Sequence, residues 1–174
     1  MVEICLGNPY KLKYKWTSLC EELVGLMKKS IKKGDKIRVY STMSKPALGP
    51  EDVMVYVVPN EGMARVAEHF NVRDGGNALG CTVIGEQSAC EVYIDSEYAG
   101  EKLQPTYVSK LIWHEVAHNK SRLSNHKMHR GSGLLKAVVS DRDSLTPEDI
   151  QFMRKHVYTH VRQWTGGFDF GAPP

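Results

Sequence analysis

An α+β fold is predicted by three features of the sequence. A stripe of apolar residues at helical spacing runs over residues 16–33, and a nearly unbroken β-branched run occupies Val53–Val58. Two short strand-like segments flank the turn Gly85-Glu86-Gln87-Ser88. Together they predict a mixed sheet of about four strands with an antiparallel edge hairpin, packed on a central helix and closed by a C-terminal helix. With 174 residues and no repeat or internal boundary, residues 1–174 are expected to form a single domain. Its core should span about 16–163, with an irregular tail over 164–174.

Each element has its own signal. In the first helix Trp16, Leu19, Leu23, Leu26, Met27 and Ile31 share a face, Thr17 or Ser18 can cap it, and Gly34-Asp35 ends it. Lys36–Ser41 alternates Ile37 and Val39 with Arg38 and Tyr40, as a half-buried strand does. Val53–Val58 reads as a central strand. Glu61–Phe70 reads as a short helix with Met63, Val66, Ala67 and Phe70 inward, and Asp74-Gly75-Gly76-Asn77 breaks the chain after it. Strands near Leu79–Ile84 and Cys90–Asp95 make the antiparallel pair. Pro105 opens a buried helix, at a position where its missing N–H costs nothing. A Gly/Ser/His-rich loop covers 119–133, Leu134–Val139 is apolar and Asp141–Ser144 turns. Thr146 caps the last helix, with Pro147 at its first position and Glu148 and Asp149 in its first turn. Ile150, Met153, Val157 and Val161 should face inward as that helix runs to about Gln163.

Composition narrows the function classes. A hydrophobic content of 41% with 25% charged residues is ordinary for a soluble globule. The net charge of +3 is too small to argue for nucleic acid. Lysines do cluster at Lys11, Lys13, Lys15, Lys28, Lys29, Lys32, Lys33 and Lys36, for which a solvated helix end is the simpler meaning. No apolar run approaches the ~18 residues of a membrane span. Met1–Pro9 lacks the basic start and long apolar stretch of a secretory leader, so a cytoplasmic or intracellular location without a membrane partner is expected. Secretion stays open if the chain is trimmed from a longer one. Cys5, Cys20, Cys81 and Cys90 show no C-x-x-C spacing, which argues against a cysteine metal site. Cys81 and Cys90 flank the hairpin and could face each other, but free buried thiols suit an intracellular protein better.

The chemistry concentrates in His114-Glu115-Val116-Ala117-His118. Residues four apart lie one turn apart on the same helix face, so both imidazoles can address one cation. Glu115 is placed to reach a water on that cation rather than the cation itself. This is the H-E-x-x-H pattern of zinc hydrolases, with the His pair as ligands and the Glu as general base. A shuffled chain of this composition contains it about 0.02 times, so the pattern carries information. Tyr107, Leu111, His114 and His118 form one stripe and Val108, Ile112 and Val116 a second, apolar one, which puts the pair in a helix that is buried rather than solvated.

A catalytic zinc takes three protein ligands. Beyond His118 the candidates are His126 and His129. His126 is preferred, because Asn125 tolerates the left-handed conformation that a chain reversal needs. His129 is the alternative third ligand, or a partner supporting one. His156 and His160 also stand four apart but lack the Glu and read as surface or core-edge residues, and His69 reads as ordinary.

The motif, followed by a further His, resembles the metzincin zinc peptidases, a zincin-like fold. The order of elements agrees over about residues 16–163. Gly133-Leu134-Leu135 and the helix start Leu145-Thr146-Pro147-Glu148-Asp149-Ile150 resemble the Met-turn and closing helix of that family, with Leu135 as the Met-turn-like base. The resemblance implies one catalytic Zn²⁺ and an active-site helix carrying the motif. Here, however, His126 follows His118 by eight residues where the family has six, and Ser121 stands where it has Gly. SprT-like zinc proteases are also similar, in H-E-x-x-H-N and a later His. They act on proteins crosslinked to DNA, a partner the N-terminal lysines would suit, although the Thr-Pro-Glu-Asp helix start fits the metzincin arrangement better.

The expectation is therefore a zinc-dependent metalloendopeptidase. Its protein or peptide substrate would lie extended along the outer strand of the Leu79–Asp95 hairpin. Two readings compete with it. One is a catalytically inactive zinc-binding module with both His126 and His129 on the metal. The other is a basic nucleic-acid-binding protein, which no interleaving of aromatic and basic residues promotes.

Overall fold

Val53–Val58 is buried at every position, the mark of a strand covered on both faces. The computed structural model describes residues 2–32, 34–43, 52–59, 80–82, 89–93, 103–121, 123 and 125–157. In chain order these give β1 (Val2–Gly7), α1 (Trp16–Ser30), β2 (Ile37–Thr42), β3 (Val53–Val58), β4 (Gly80–Thr82) and β5 (Ala89–Tyr93). There follow α2 (Pro105–Ser121), α3 (Asn125–Met128), a 3₁₀ turn (Gly133–Leu135), α4 (Pro147–Phe152) and a π turn (Met153–Val157). The fold is mixed α/β.

The expected count of about four strands is not matched, while the expected strands near 79–84 and 90–95 do pair antiparallel at one edge of the described sheet. Among the described residues the sheet has five strands in the order β2-β1-β3-β5-β4. β1 pairs in parallel with β2 and β3, and β3 in parallel with β5; only β4, at the edge, runs against its neighbour. The strand that sequence reasoning missed is β1. Val2, Ile4 and Leu6 alternate with Glu3, Cys5 and Gly7, but a single short alternation at a chain end is a weak signal. It is nonetheless central: Ile4 and Leu6 are fully buried and register with Val53 and Val55 on the face that receives the helices.

On that face Leu19, Leu23, Met27 and Ile31 of α1 and its exit pack with Val108, Ile112, Trp113 and Val116 of α2. The first helix ends at Ser30, before the expected Gly34-Asp35 stop. Tertiary contacts end it. Ile31 turns to extended backbone, the Trp113 indole N–H donates to Ser30 Oγ at 2.9 Å, and Arg154 donates to the carbonyls of Lys29 and Ile31 at 3.3 Å. No sequence-local rule could supply Arg154, which stands 125 residues beyond Lys29. The helix start also differs: Lys15 occupies the cap position without a side-chain bond, in place of Thr17 or Ser18. α4 starts as expected, with Thr146 as cap, Pro147 in the first turn and a reciprocal capping box to Asp149.

The expected turn 85–88, the helix 61–70, the break at 74–77 and everything beyond 157 lie outside the described residues. No helix among the described residues is long and apolar enough to cross a membrane. Cys5 and Cys20 are not in disulfides.

Because Leu6 sits in the middle of the sheet, Leu6→Ala is expected to destabilise the protein by about 2–5 kcal/mol, the range for emptying a packed core position. Urea unfolding checks this, and a loss below about 1 kcal/mol would contradict the placement of β1 in the core.

Candidate metal centre

The helix that carries the motif is enclosed by the rest of the fold. Gln104 O accepts the first N–H groups, from Tyr107 and Val108, and every residue from Leu111 to Ser121 is buried. Its two ends are tied to distant chain. Tyr107 Oη donates to Val139 O at 2.8 Å, and Lys120 Nζ donates to Asp52 O at 2.8 Å, at the start of β3. These ties fix which face of α2 points at the sheet and which at the loops beyond it.

Three imidazoles meet on the loop side. His114, His118 and His129 offer ligand atoms that all lie within 4.8 Å of one another. His118 Nε2 stands 3.0 Å from His114 Nε2 and 3.1 Å from His129 Nε2. Two nitrogens bound tetrahedrally at 2.0–2.1 Å would be about 3.3 Å apart, so the spacing is near that of a ligand set.

The tautomers sharpen the point. His114 Nδ1 lies 2.7 Å from Leu134 O, and a carbonyl can only accept, so Nδ1 carries the proton. The backbone of Leu123 accepts a hydrogen bond from the His118 ring, whose Nε2 is turned to the other two rings. Burial holds His114 down at about 4 and His118 down at about 3, with the neighbouring rings adding to the fall, so both are neutral near pH 7. Neither Nε2 then has a proton to give the other. Two buried lone pairs face each other at 3.0 Å, an arrangement that a shared cation satisfies. The donor set fits a metal ion.

The third ring is described for one of the two candidates. Among the described residues the third ring in the cluster is His129, the alternative, which follows His118 by 11 residues. The side chain of His126 lies outside the described residues. His129 is set by what flanks it. Met128 is fully buried in the core, and Arg130 N donates to Leu135 O at 2.8 Å. Met128 is thus the apolar anchor beside His129, a signal that backbone freedom at Asn125 does not carry.

Beneath the cluster lies the turn Gly133–Leu135. Asp149, 1% exposed, accepts from Leu134 N at 2.9 Å, Leu135 N at 3.2 Å and Thr146 N at 2.9 Å. Gly133 has φ +71, and a Cβ there would sit 2.2 Å from Asp149 Oδ2, so only glycine fits. The carbonyl of Leu134 is the one that holds His114, and Leu135 is fully buried beside it. Asp149 thus orients a ring of the cluster through one peptide unit. Met153 is buried as expected, whereas Ile150 is half-buried and Asp149 and Phe152 are buried instead.

Glu115 lies on the sheet side. It is buried, and Thr82 Oγ1 stands 2.6 Å from its Oε2. Burial pushes its carboxyl up to about 7, with the Thr82 hydrogen bond opposing. Thr82 and Gly80 are site residues that sequence reasoning did not single out. Their only signal is position on a strand next to the motif helix, which emerges from the fold.

Two outcomes follow for the isolated protein. His129→Ala is expected to lower Zn²⁺ affinity by more than the ~10–100-fold typical of losing a group behind a ligand, and His126→Ala to leave it nearly unchanged. Competition with a chromophoric chelator reads both, and the reverse order would contradict the assignment. Without metal, unfolding between pH 6.5 and 4.5 lets His114 and His118 take up protons while Glu115 gives one up, a net uptake of one. These groups are therefore expected to cost about 1.4 kcal/mol of stability per pH unit on acidification through that window. Urea unfolding of the metal-free protein that showed a gain instead would refute it.

Compared with known proteins, the chain matches no protein family, no curated protein and no solved structure, so the reading of its function rests on the site itself.

Proposed function

We propose that the chain is a zinc-dependent metalloendopeptidase, similar in plan to the metzincins. The observation that carries the reading is the convergence of His114, His118 and His129, with a buried Glu115 next in the chain to His114 on the same helix. Three imidazoles without a thiolate suit Zn²⁺, and three protein ligands rather than four are the pattern of a catalytic site. A cation held there would supply Lewis acidity to a water and to the substrate carbonyl.

The chain's own residues do the rest. Glu115 takes the proton of the attacking water and returns it to the leaving amine. A carboxyl raised toward 7 by burial can do both near neutral pH, although the charge of a bound cation pulls it back down. Leu134 O keeps His114 in the tautomer whose Nε2 lone pair faces the site. β4 is the edge of the sheet among the described residues and carries Thr82 against Glu115. An extended peptide adding to that edge would pass beside the base, with backbone hydrogen bonds supplying affinity.

Glu115→Gln is the direct test. Metal stoichiometry should be unchanged, while cleavage of a mixed peptide library should fall by ~10²–10⁴. A chelator should abolish cleavage by the unsubstituted protein. Full activity of the Gln variant would exclude the mechanism.

A further inference from the structure

Gly80 and Thr82 stand two apart on β4, so they face the same side of the sheet, and both meet Glu115. Thr82 Oγ1 lies 2.6 Å from Glu115 Oε2 and 3.1 Å from the Glu115 backbone carbonyl. A hydroxyl has one proton to donate, and the shorter contact to the carboxyl group is the stronger claim on it. On the other side, a Cβ at Gly80 would stand 2.6 Å from Glu115 Oε1, 2.8 Å from Cγ and 2.9 Å from Cδ. The missing side chain is the space the carboxyl group occupies.

The geometry points to Thr82 as a positioning residue that fastens the Glu115 carboxyl group to the edge strand, with Gly80 bounding its other oxygen. Thr82 holds Oε2, which leaves Oε1 as the oxygen that exchanges a proton. The strand to which a peptide would add is then also the strand that aims the base, so substrate register and base orientation are set by one element. The catalytic consequence rests on the peptidase reading; the contact does not.

Three variants and one cycle test it. Thr82→Val keeps the shape and removes the hydroxyl, while Thr82→Ser keeps the hydroxyl. In Zn²⁺-loaded protein assayed on a quenched-fluorescence peptide library, Thr82→Val should lose kcat by roughly 10–100-fold with KM nearly unchanged. Thr82→Ser should stay near the unsubstituted protein, and chelator competition should give the same Zn²⁺ affinity for all. Gly80→Ala, whose methyl meets the end of a side chain rather than backbone, should lose kcat in the same way. Equal losses for Val and Ser, or no loss for Val, overturn the role of Thr82; an unchanged kcat in Gly80→Ala overturns that of Gly80. Independently of turnover, Thr82→Val, Glu115→Met and their combination are compared by urea unfolding of metal-free protein. The contact requires that the second substitution cost less once the first is made, and strict additivity overturns it. Protein that binds Zn²⁺ yet cleaves nothing would end the peptidase reading, and the cycle would still decide the contact.

Discussion

One buried carboxylate organises the site. Asp149 reaches from the first turn of α4 to the backbone N–H groups of Leu134 and Leu135, while closing its own helix cap on Thr146. Hydrogen bonds to a charged acceptor contribute about 1.5–3 kcal/mol each, and a carboxylate this buried is tolerable only with several of them. The same turn offers Leu134 O to His114 and Leu135 O to Arg130 N, next to His129. Two rings of the cluster are therefore positioned from one small turn, and that turn is positioned from Asp149.

The third ring is fixed from the opposite direction. α2 is clamped between α1 and the sheet by Trp113, Val116 and Ile112, and its C-terminal end is tied to β3 through Lys120 and Asp52. Burial that stabilises this helix also strips water from His114, Glu115 and His118. Both histidines become poor bases for a proton, and Glu115 a reluctant anion. The metal-free protein carries that cost, so a cation that binds the folded form alone would repay it as stability.

How much of this was legible in the sequence depends on the range of the interaction concerned. His114, Glu115 and His118 were readable because a helix brings residues four apart onto one face regardless of the rest of the fold. The same holds for Thr146 and Pro147, whose roles are set within one turn. β3 announced itself by a run of apolar residues that only a doubly covered strand requires. β1 did not, since six residues at the chain start acquire their meaning from β2 and β3 on either side. The place of His129 in the cluster, Thr82 and Gly80 against Glu115, and Arg154 on the end of α1 all depend on contacts between distant segments, which spacing along the chain does not encode.

All of this converges on the claim that one divalent cation is shared by His114, His118 and His129. X-ray absorption at the zinc edge, on protein loaded with one equivalent of Zn²⁺, measures that shell directly. The account predicts three imidazole nitrogens at ~2.0–2.1 Å and one oxygen. A shell of four imidazoles, a shell with fewer than three, or an ion that washes out without specific ligands would contradict it.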